Sequence, residues 1–526
     1  MPHDTLINAP LRKLPIGIQS FEKLRSENFL YVDKTALIYR LAQAGNPCFL
    51  NRPRRFGKSL LLSSFEAYFQ GKKELFRGLA IEKLEKEWLQ YPVLHLDLNA
   101  EKYDSRERLV DILERQLRQW EELYRTGGEG ITHSGRFMTV IRRACEQTGR
   151  RVVVLIDEYD KPLLRSFDNQ ELQHDFRETL TAFYTVLKSA DPWLQFVFIT
   201  GVTKFAQMGI FSNLNQLQDI SLHPAYTTLC GMTRAEIEAV FAPELQSLAR
   251  GNGLTYEEAM DKLGRQYDGY HFNYRNWEGM FNPFSVLNTF STGLFENAWF
   301  ASDTPTFLAE MLRKTDFDLR DLDGIEVSSA SLSDDRADIH NPVPMIYQSG
   351  YLTIKKYDPQ FGLYTLGFPN EEVKYGFLNF VAPFYTPVAS TDTAFYIGKF
   401  VRELTSGDVE AFLERLRCFF ADFPYELNTK TERHYQVVFY LVFKLMGQFT
   451  EAEVRSARGR ADAVVKTADY TYVFEFKLDG SAEAALQQIE EKGYSFPYGA
   501  DGRKLVKVGV SFDAEQRNLG EWLIVE

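Results

Sequence analysis

The stretch Asn51-Arg-Pro-Arg-Arg-Phe-Gly-Lys-Ser59 decides the fold that we expect for this chain. A short apolar run at residues 47–50 precedes it, and an apolar stretch with helical spacing, Lys58–Phe69, begins at its end. A strand that leads through Gly-Lys-Ser into a helix is typical of a phosphate-binding loop, because the free N–H groups of the helix N-terminus attract anionic oxygens. The stretch therefore predicts an α/β domain that carries such a loop.

The side chains of this loop have distinct predicted roles. Lys58 is expected to reach the β- and γ-phosphates of ATP, and the Ser59 hydroxyl is expected to hold Mg²⁺. Backbone N–H groups around Gly57 would bind the remaining phosphate oxygens. The residues expected to bind nucleotide at the loop are Arg55, Phe56, Gly57, Lys58, Ser59 and Leu60.

One position departs from the general pattern Gly-x-x-x-x-Gly-Lys-Ser. Arg52 stands where the first glycine belongs, so a basic helix start without a ligand is the alternative reading of the motif alone. A second feature favours phosphate binding, because an apolar run at residues 152–156 ends in Asp157 and Glu158. We expect Asp157 to support the Mg²⁺ shell and Glu158 to polarise the attacking water.

The next apolar run along the chain, at residues 194–200, ends in a hydroxyl. Thr200 lies where a sensor of the γ-phosphate is expected, with an ordinary strand end as the alternative. Lys204 is a further candidate, for charge stabilisation in the transition state, against the alternative of a common surface lysine.

A second set of charged residues lies near the C-terminus. Glu475-Phe-Lys477 falls on an expected strand, where alternation places the carboxylate and the ammonium on one face. Asp462 lies on the preceding strand, and hairpin pairing can bring it beside Glu475. Two carboxylates and a backbone carbonyl suit Mg²⁺ or Mn²⁺, and Lys477 would help to deprotonate the water that attacks a phosphodiester. Glu432 is a further acid or ligand candidate, and a solvated sheet face is the alternative.

Several segments together resemble the bacterial AAA-ATPase-like family, which is generally fused to a C-terminal PD-(D/E)XK nuclease-like domain. The family shares the Arg-Pro-Arg-Arg-Phe-Gly-Lys loop, so Arg52 is a family trait. The resemblance covers essentially the whole chain. Besides the loop, it rests on Leu14-Pro-Ile-Gly-Ile18, Tyr31-Val-Asp-Lys-Thr35, Ile199-Thr-Gly-Val-Thr203, Tyr267-Asp-Gly-Tyr270, Asn282-Pro-Phe-Ser285 and Ser349-Gly-Tyr-Leu352.

The C-terminal helix carries a further resemblance. Gln488 and Tyr494 are similar to the glutamine–tyrosine motif of exonuclease-like members, although Tyr494 follows after six residues and not four. This departure leaves the metal site intact and leaves the helix's contact with DNA open. Arg455, Arg458 and Arg460 precede Asp462, where they could meet a phosphate backbone or be solvated charges of a strand edge.

The resemblance and the sequence pattern together predict the architecture. We expect an α/β fold with an AAA-like parallel-sheet ATPase domain at residues 1–230 and a helical lid at 231–340. A middle region at 341–430 would carry a wing-like hairpin, with strands at 345–354 and 363–366. A PD-(D/E)XK restriction-endonuclease-like α/β domain would occupy residues 431–526, and residues 126–135 are expected to form a loop.

Composition narrows the class of protein. The chain has 526 residues and a net charge of −12, which argues against strong nonspecific coating of nucleic acid. It has no apolar run of the ~20 residues that span a bilayer, so no membrane partner is expected. Its 4 cysteines lie far apart, which suits a reducing cytoplasm.

The expected function combines both sites. We expect a cytoplasmic protein that binds and hydrolyses ATP and whose metal-dependent nuclease domain cleaves DNA, or RNA as the second choice, under nucleotide control. Defence against phage or mobile-element biology is suggested only by analogy of architecture. The chief alternative is a nucleotide-controlled switch or scaffold whose nuclease fold only binds nucleic acid or a partner. An assembly factor with vestigial sites is a third class, and a homo-oligomer is left open.

Overall fold

The computed structural model describes most of the chain, in two compact units. The first unit comprises Met1–Thr315 and Gly324–Val373, and the second comprises Asp316–Asp323 and Lys374–Glu526. The division into four domains expected from the sequence stays a prediction. The described residues are 13–99, 102–127, 132–204, 216–275, 277–301, 308, 311–312, 317–332, 341–386, 390–421, 432–454, 462–478, 480–499, 502–513 and 518–526.

A five-stranded parallel sheet forms the core of the first unit. Its strands are β1 (Cys48–Asn51), β2 (Val93–Asp97), β3 (Val152–Asp157), β4 (Leu194–Gly201) and β5 (Gln218–Asp219). They lie in the order β2-β3-β4-β1-β5. Each residue of β3 is buried, as expected for a strand covered on both faces. The predicted α/β fold with a parallel sheet is therefore confirmed.

Helices follow the strands of this sheet. The predicted helix Lys58–Phe69 begins directly after the phosphate-binding loop and buries Leu61, Leu62 and Phe65, and it packs against β3. Among the residues described, no helix is both long and apolar enough to cross a bilayer. The other helices up to the end of the sheet are Phe21–Ser26, Thr35–Ala44, Ala80–Leu84, Arg106–Tyr124, His133–Thr148, Lys161–Arg165 and Gln170–Ser189.

Two helices after the sheet begin with capping boxes. Thr233 and Glu236 cap one helix, and Thr255 and Glu258 cap the next, each through reciprocal side-chain and backbone hydrogen bonds. These interactions satisfy N–H groups that the first helical turn leaves free. The helices of this part are Arg234–Gly251, Tyr256–Tyr267, Pro283–Thr292, Ala298–Ala301, Ser329–Leu332 and Val343–Gln348.

Two local predictions for the first unit are wrong in part. The segment expected as a strand at 345–354 begins as the helix Val343–Gln348, because Pro344 in its first turn favours a helix start. Only its end is extended, in β7 (Thr353–Asp358), which forms the predicted hairpin with β8 (Leu363–Gly367) and is joined through β8 to β6 (Glu326–Ser328). The expected loop at 126–135 overlaps the helix His133–Thr148, which begins at His133 and has Thr132 as its N-cap.

The second unit has its own five-stranded sheet. Its strands are β9 (Glu451–Val454), β10 (Ala463–Lys466), β11 (Tyr470–Leu478), β12 (Lys504–Asp513) and β13 (Asn518–Val525). They lie in the order β13-β12-β11-β10-β9, and only the β11–β12 pair is parallel in the described part of this sheet. Strand β13 was not predicted from the sequence. The helices that lie wholly or mostly in this unit are Glu371–Tyr385, Ser390–Thr405, Val409–Ala421, Glu432–Met446 and Ala482–Glu491.

Candidate functional sites

The predicted phosphate-binding loop turns sharply into its helix. Gly57 has φ +89°, in the left-handed region that glycine adopts at little cost, and directly precedes Lys58 at the helix start. The Lys58 side chain is nearly buried, and its Nζ donates to the carbonyl oxygens of Arg52 at 3.0 Å and Pro53 at 3.2 Å. The ammonium is therefore held against the backbone of the loop.

Arg52 replaces the usual first glycine, and the structure gives it a role in the framework of the loop. Its guanidinium is buried and donates to the carbonyl oxygens of Asn51, Ser221 and Tyr226 at 2.8–3.0 Å. The same group lies over the ring of Phe272, with Cζ 4.0 Å from the ring centroid. Burial lowers the pKa of Arg52 to about 10. Arg52 thus joins the loop to segments that follow the sheet.

The acids and the hydroxyl predicted on neighbouring strands come together. The Thr200 hydroxyl, at the end of β4, donates to Asp157 Oδ1 at 2.6 Å, at the end of β3. The Glu158 backbone N–H donates weakly to the same hydroxyl oxygen at 3.4 Å. Thr200 is fully buried, and the hydrogen of its hydroxyl is engaged by Asp157. Its role as a sensor of the γ-phosphate stays a prediction.

Glu158 occupies a strained position at the end of β3. Its φ of +52° is uncommon for a residue with a side chain. Its carboxylate lies 3.4 Å from Lys161 Nζ, and both side chains are largely buried. Burial raises the pKa of Glu158 while the charges of Lys58, Lys161 and Arg54 lower it; the cations prevail, and the pKa lies below its usual value. The carboxylate is therefore ionised at neutral pH.

A cavity of about 320 Å³ adjoins these groups, a volume suited to a small ligand. Its walls combine the loop with Glu158 and with apolar residues from the chain's N-terminal segment and from the helices after the sheet. The predicted residues that line it are Arg55, Phe56, Gly57, Lys58, Ser59, Leu60 and Glu158. Other lining residues were not predicted from the sequence as part of the site, among them Tyr31, Lys34, Asn99, Lys161, Cys230 and Phe284.

Two of the missed residues had a signal in the sequence. Lys161 follows Glu158 by three residues, a spacing that brings side chains together where a helical turn begins. Lys34 belongs to the quoted segment Tyr31-Val-Asp-Lys-Thr35, and its Nζ pairs with Glu236 Oε1 at 2.5 Å. Lys204 is the cation that the sequence offered for the transition state. Its Nζ forms an ion pair with Oδ2 of Asp219, on the edge strand β5, at 2.5 Å.

The second set of predicted residues meets on β10 and β11. Ala463 pairs with Phe474 across these antiparallel strands, which places Asp462 beside Glu475. Asp462 Oδ2 accepts the backbone N–H of Phe476 at 2.9 Å. Lys477 Nζ lies 3.2 Å from Glu475 Oε1, on the same face of β11. The hairpin therefore assembles the two carboxylates and the ammonium as predicted.

The helix Ala482–Glu491 adds a residue that directly contacts this set. The side-chain oxygen of Gln488 accepts a hydrogen bond from Lys477 Nζ at 2.5 Å, and its amide donates to Glu475 Oε1. The same amide lies 3.4 Å from the Tyr494 hydroxyl, so the six-residue spacing still brings glutamine and tyrosine together. The helix approaches closely because Gly509 of β12 has no Cβ; one there would lie 2.4 Å from the Ala482 carbonyl oxygen.

The residues present fit a hard divalent cation. Glu475 is 2% exposed, and its Oε2 has no hydrogen-bond partner among the described residues. Burial and the charge of Asp462 raise the pKa of Glu475 to about 7 against the opposing effect of Lys477, and burial raises that of Asp462. A cation between the two carboxylates would relieve this repulsion and provide the missing partner.

Some predicted contributors lie outside the described part of the chain. Glu432 begins the helix Glu432–Met446, but its side chain is outside that part, as are Arg455, Arg458 and Arg460. Within the described residues, no group of three or more His, Cys, Asp or Glu side chains is arranged to hold a metal. The fit to a cation therefore rests on Asp462 and Glu475 alone.

A parallel α/β unit with this loop, and a second sheet with a paired-carboxylate centre, define the class as a P-loop protein with a nuclease-type domain. Sequence comparison agrees: residues 15–211 match the family described as "Predicted AAA-ATPase", and residues 430–522 match the PD-(D/E)XK nuclease superfamily. The chain is 33% identical over 521 residues to "Uncharacterized protein in vnfD 5'region" of Azotobacter chroococcum mcd 1, across 97% of this chain and 98% of that protein. It belongs to the AAA-ATPase-like family with a C-terminal PD-(D/E)XK nuclease superfamily domain, as its sequence motifs predict.

Proposed function

We propose that this chain binds and hydrolyses ATP in the first unit and cleaves nucleic-acid phosphodiester bonds in the second, with nucleotide state controlling cleavage. DNA is the preferred substrate in this proposal and RNA the second choice. The four cysteines are free thiols, which agrees with the proposed cytoplasmic location. Family membership supports a nucleotide-associated nuclease.

ATP would lie in the cavity beside the loop. Lys58 and the N–H groups of the loop would bind the phosphates, and Ser59 and Asp157 would hold Mg²⁺. Glu158 would accept the proton of the attacking water, since its low pKa keeps the carboxylate ionised and it lines the same cavity as Lys58. Thr200 would orient Asp157 through the bond that its hydroxyl donates.

The nucleic acid would be cleaved at the Asp462–Glu475–Lys477 centre. A bound Mg²⁺ or Mn²⁺ would supply an activated water and neutralise charge on the phosphodiester. Asp462 and Glu475 would hold the cation, while Lys477 would bind the attacking water. The observation that carries the proposal is the buried Oε2 of Glu475, which lacks a hydrogen-bond partner among the described residues. A buried polar atom without a partner destabilises the folded chain unless a ligand binds it.

A two-site experiment tests this function. Wild type, Lys58→Ala and Glu475→Ala would be assayed for ATP hydrolysis and for cleavage of linear DNA, circular DNA and RNA. Each assay would contain Mg²⁺ or Mn²⁺, with and without ATP. We expect Lys58→Ala to lose ATP binding and Glu475→Ala to lose cleavage while retaining ATP binding. Glu521→Ala, at an exposed residue of β13, is the matched control for Glu475→Ala.

Nucleotide control is tested in the same assay. ATP trapped on Glu158→Gln should change the rate of cleavage, although Asp462, Glu475 and Lys477 are intact. An unchanged rate would remove control from the proposal. If wild type cuts no nucleic acid in any nucleotide state, the second unit is a binding module, and the switch-or-scaffold alternative replaces the nuclease.

A further inference from the structure

Lys161 is a cation of the nucleotide cavity that the proposed function leaves without a role. It lines the same cavity as Lys58 and Glu158. Its side chain is 13% exposed, and its Nζ lies 3.4 Å from Glu158 Oε2. A largely buried ammonium beside the carboxylate that would activate water is a constrained group, because burying a charge is costly without a partner.

Hydrolysis of ATP places negative charge differently from the bound ground state, so a cation can favour the transition state. Negative charge spreads over the equatorial oxygens of the γ-phosphoryl group in the transition state, and NTPases commonly add a cation there. Lys58 serves binding in the proposed function. Lys204, the sequence-based candidate for this second cation, is engaged in its ion pair with Asp219.

We propose that Lys161 is a catalytic residue that contacts the γ-phosphoryl group of ATP in the transition state. This inference rests on the proposed ATP hydrolysis and adds a residue to it. An ammonium has three N–H donors, so Lys161 can keep one bond to Glu158 and direct another toward the phosphoryl oxygen. Its position next to Glu158 places the stabilising charge close to the bond that forms.

The hydrolysis step needs only water, ATP and the side chains of this cavity. A lone pair of the water oxygen forms the new bond to the γ-phosphorus, and the water proton passes to the Glu158 carboxylate. The bond from the γ-phosphorus to the bridging oxygen breaks, and its electron pair stays on ADP. The products are ADP and inorganic phosphate. Lys161 transfers no proton and contributes charge alone, which should stabilise the transition state more than bound ATP.

Substitution by methionine separates this role from binding. Lys161→Met keeps the length of the side chain and removes its charge, and Lys161→Arg restores the charge. We would measure kcat and KM for ATP, and calorimetric affinity for ADP alone and for ADP with aluminium fluoride, which mimics the transferring phosphoryl group. Lys188→Met, at an exposed lysine of the helix Gln170–Ser189, is the matched control.

We expect Lys161→Met to lower kcat by about 100-fold or more and to weaken binding of ADP–aluminium fluoride by a similar factor. Affinity for ADP should change by less than about threefold, since the contact belongs to the transition state. Lys161→Arg should recover part of both losses. A thermal melt equal to wild type would show that each variant is folded, and Lys161→Gln replaces Lys161→Met if the latter unfolds.

Two results would overturn the inference while leaving ATP hydrolysis in place: turnover by Lys161→Met at the wild-type rate, or equal weakening of ADP and ADP–aluminium fluoride. The second would make Lys161 a ground-state ligand. Absence of hydrolysis by wild type would overturn the inference together with the proposed function, so the two failures are distinguishable.

Discussion

Two glutamate–lysine pairs, one in each unit, have similar geometry and opposite electrostatics. Glu158 lies 3.4 Å from Lys161, and Glu475 lies 3.2 Å from Lys477. The pKa of Glu158 lies below its usual value, whereas that of Glu475 is raised to about 7. The short distance to a lysine therefore does not decide the charge of a buried carboxyl, because burial and the other neighbours count as much.

The neighbours of each pair explain the difference. Glu158 also experiences the positive charges of Lys58 and Arg54, which together with Lys161 overcome the effect of burial. Glu475 faces the carboxylate of Asp462, which adds to the effect of burial. The first site thus has an excess of cations, which suits a polyphosphate, and the second has an excess of acids, which suits a metal ion.

The largest expected effect breaks the first pair from the acid side. Glu158→Gln should lower kcat for ATP hydrolysis by about 1,000-fold or more, because an amide cannot accept the proton of the attacking water. Binding of ATP should survive, since it depends on Lys58. Calorimetry with ATP and a steady-state assay measure the two quantities, with Glu171→Gln at an exposed position as control. Equal loss of binding and turnover would make Glu158 a ligand or a structural residue.

The second prediction separates the cations that face the cavity from the one that holds the loop. Arg52→Met leaves three backbone carbonyl oxygens without their donor, and each unpaired oxygen destabilises the fold by about 1–3 kcal/mol. The free energy of unfolding should therefore fall by about 3–5 kcal/mol. Denaturant unfolding measures it, and Arg151→Met at an exposed arginine should change little. A stable Arg52→Met variant that binds ATP weakly would instead assign Arg52 to the ligand.

A third buried glutamate sharpens the comparison by showing what burial does. Glu372 is 1% exposed; Ser285 Oγ donates to its Oε2 at 2.7 Å, and the Trp299 N–H donates to its Oε1 at 2.9 Å. Burial outweighs these bonds and raises the pKa of Glu372 to about 7 from 4.5. Between pH 4.5 and about 7, the folded chain keeps a proton on Glu372 that the unfolded chain releases. Stability should therefore fall as pH rises through it, by up to about 3 kcal/mol.

Glu372→Gln should remove this fall. Below pH 4.5 wild type and variant should be similar in stability, since an amide can hydrogen-bond both the Ser285 hydroxyl and the Trp299 backbone N–H, as a protonated carboxyl can. Above pH 7 the variant should be the more stable by about 2–3 kcal/mol. Chemical denaturation of both proteins at several pH values measures the difference, with the exposed neighbour Glu371→Gln as control. Parallel stability curves for wild type and Glu372→Gln would contradict the prediction.

The sequence predicts the parts of each site that local rules position. Lys58 follows the loop glycine, and Glu158 follows the end of a buried strand, so spacing along the chain placed both correctly beside one cavity. Asp462 and Glu475 required only the pairing of consecutive strands. In each case the relevant geometry extends over one helix start, one strand end or one hairpin.

Contacts that depend on tertiary packing escaped prediction. The left-handed backbone at Glu158 was also not predicted, because no sequence pattern indicates it for a glutamate. The strand expected at 345–354 overlaps the helix Val343–Gln348, because a short apolar run fits either structure until its burial is known. The contact of Gln488 with Glu475 depends on the close approach of the helix that Gly509 allows.

The smallest predicted effect concerns this last contact and tests the second pair. Gln488 bridges Lys477 and Glu475, so it fixes the ammonium and one carboxylate oxygen while leaving Glu475 Oε2 for a cation. Gln488→Ala should lower the cleavage rate by about 10-fold, as expected for a residue that orients a metal ligand. Gln487→Ala is the matched control, because Gln487 is an exposed neighbour whose amide donates to Glu491 at 2.6 Å on the same helix. Single-turnover cleavage, with the metal concentration varied, measures the effect and separates weaker metal binding from a slower step. Equal rates for the two variants would show that Lys477 and Glu475 hold their geometry without the bridge. The second pair would then depend on its direct contact alone, as the pair of Lys161 and Glu158 does in the proposed first site.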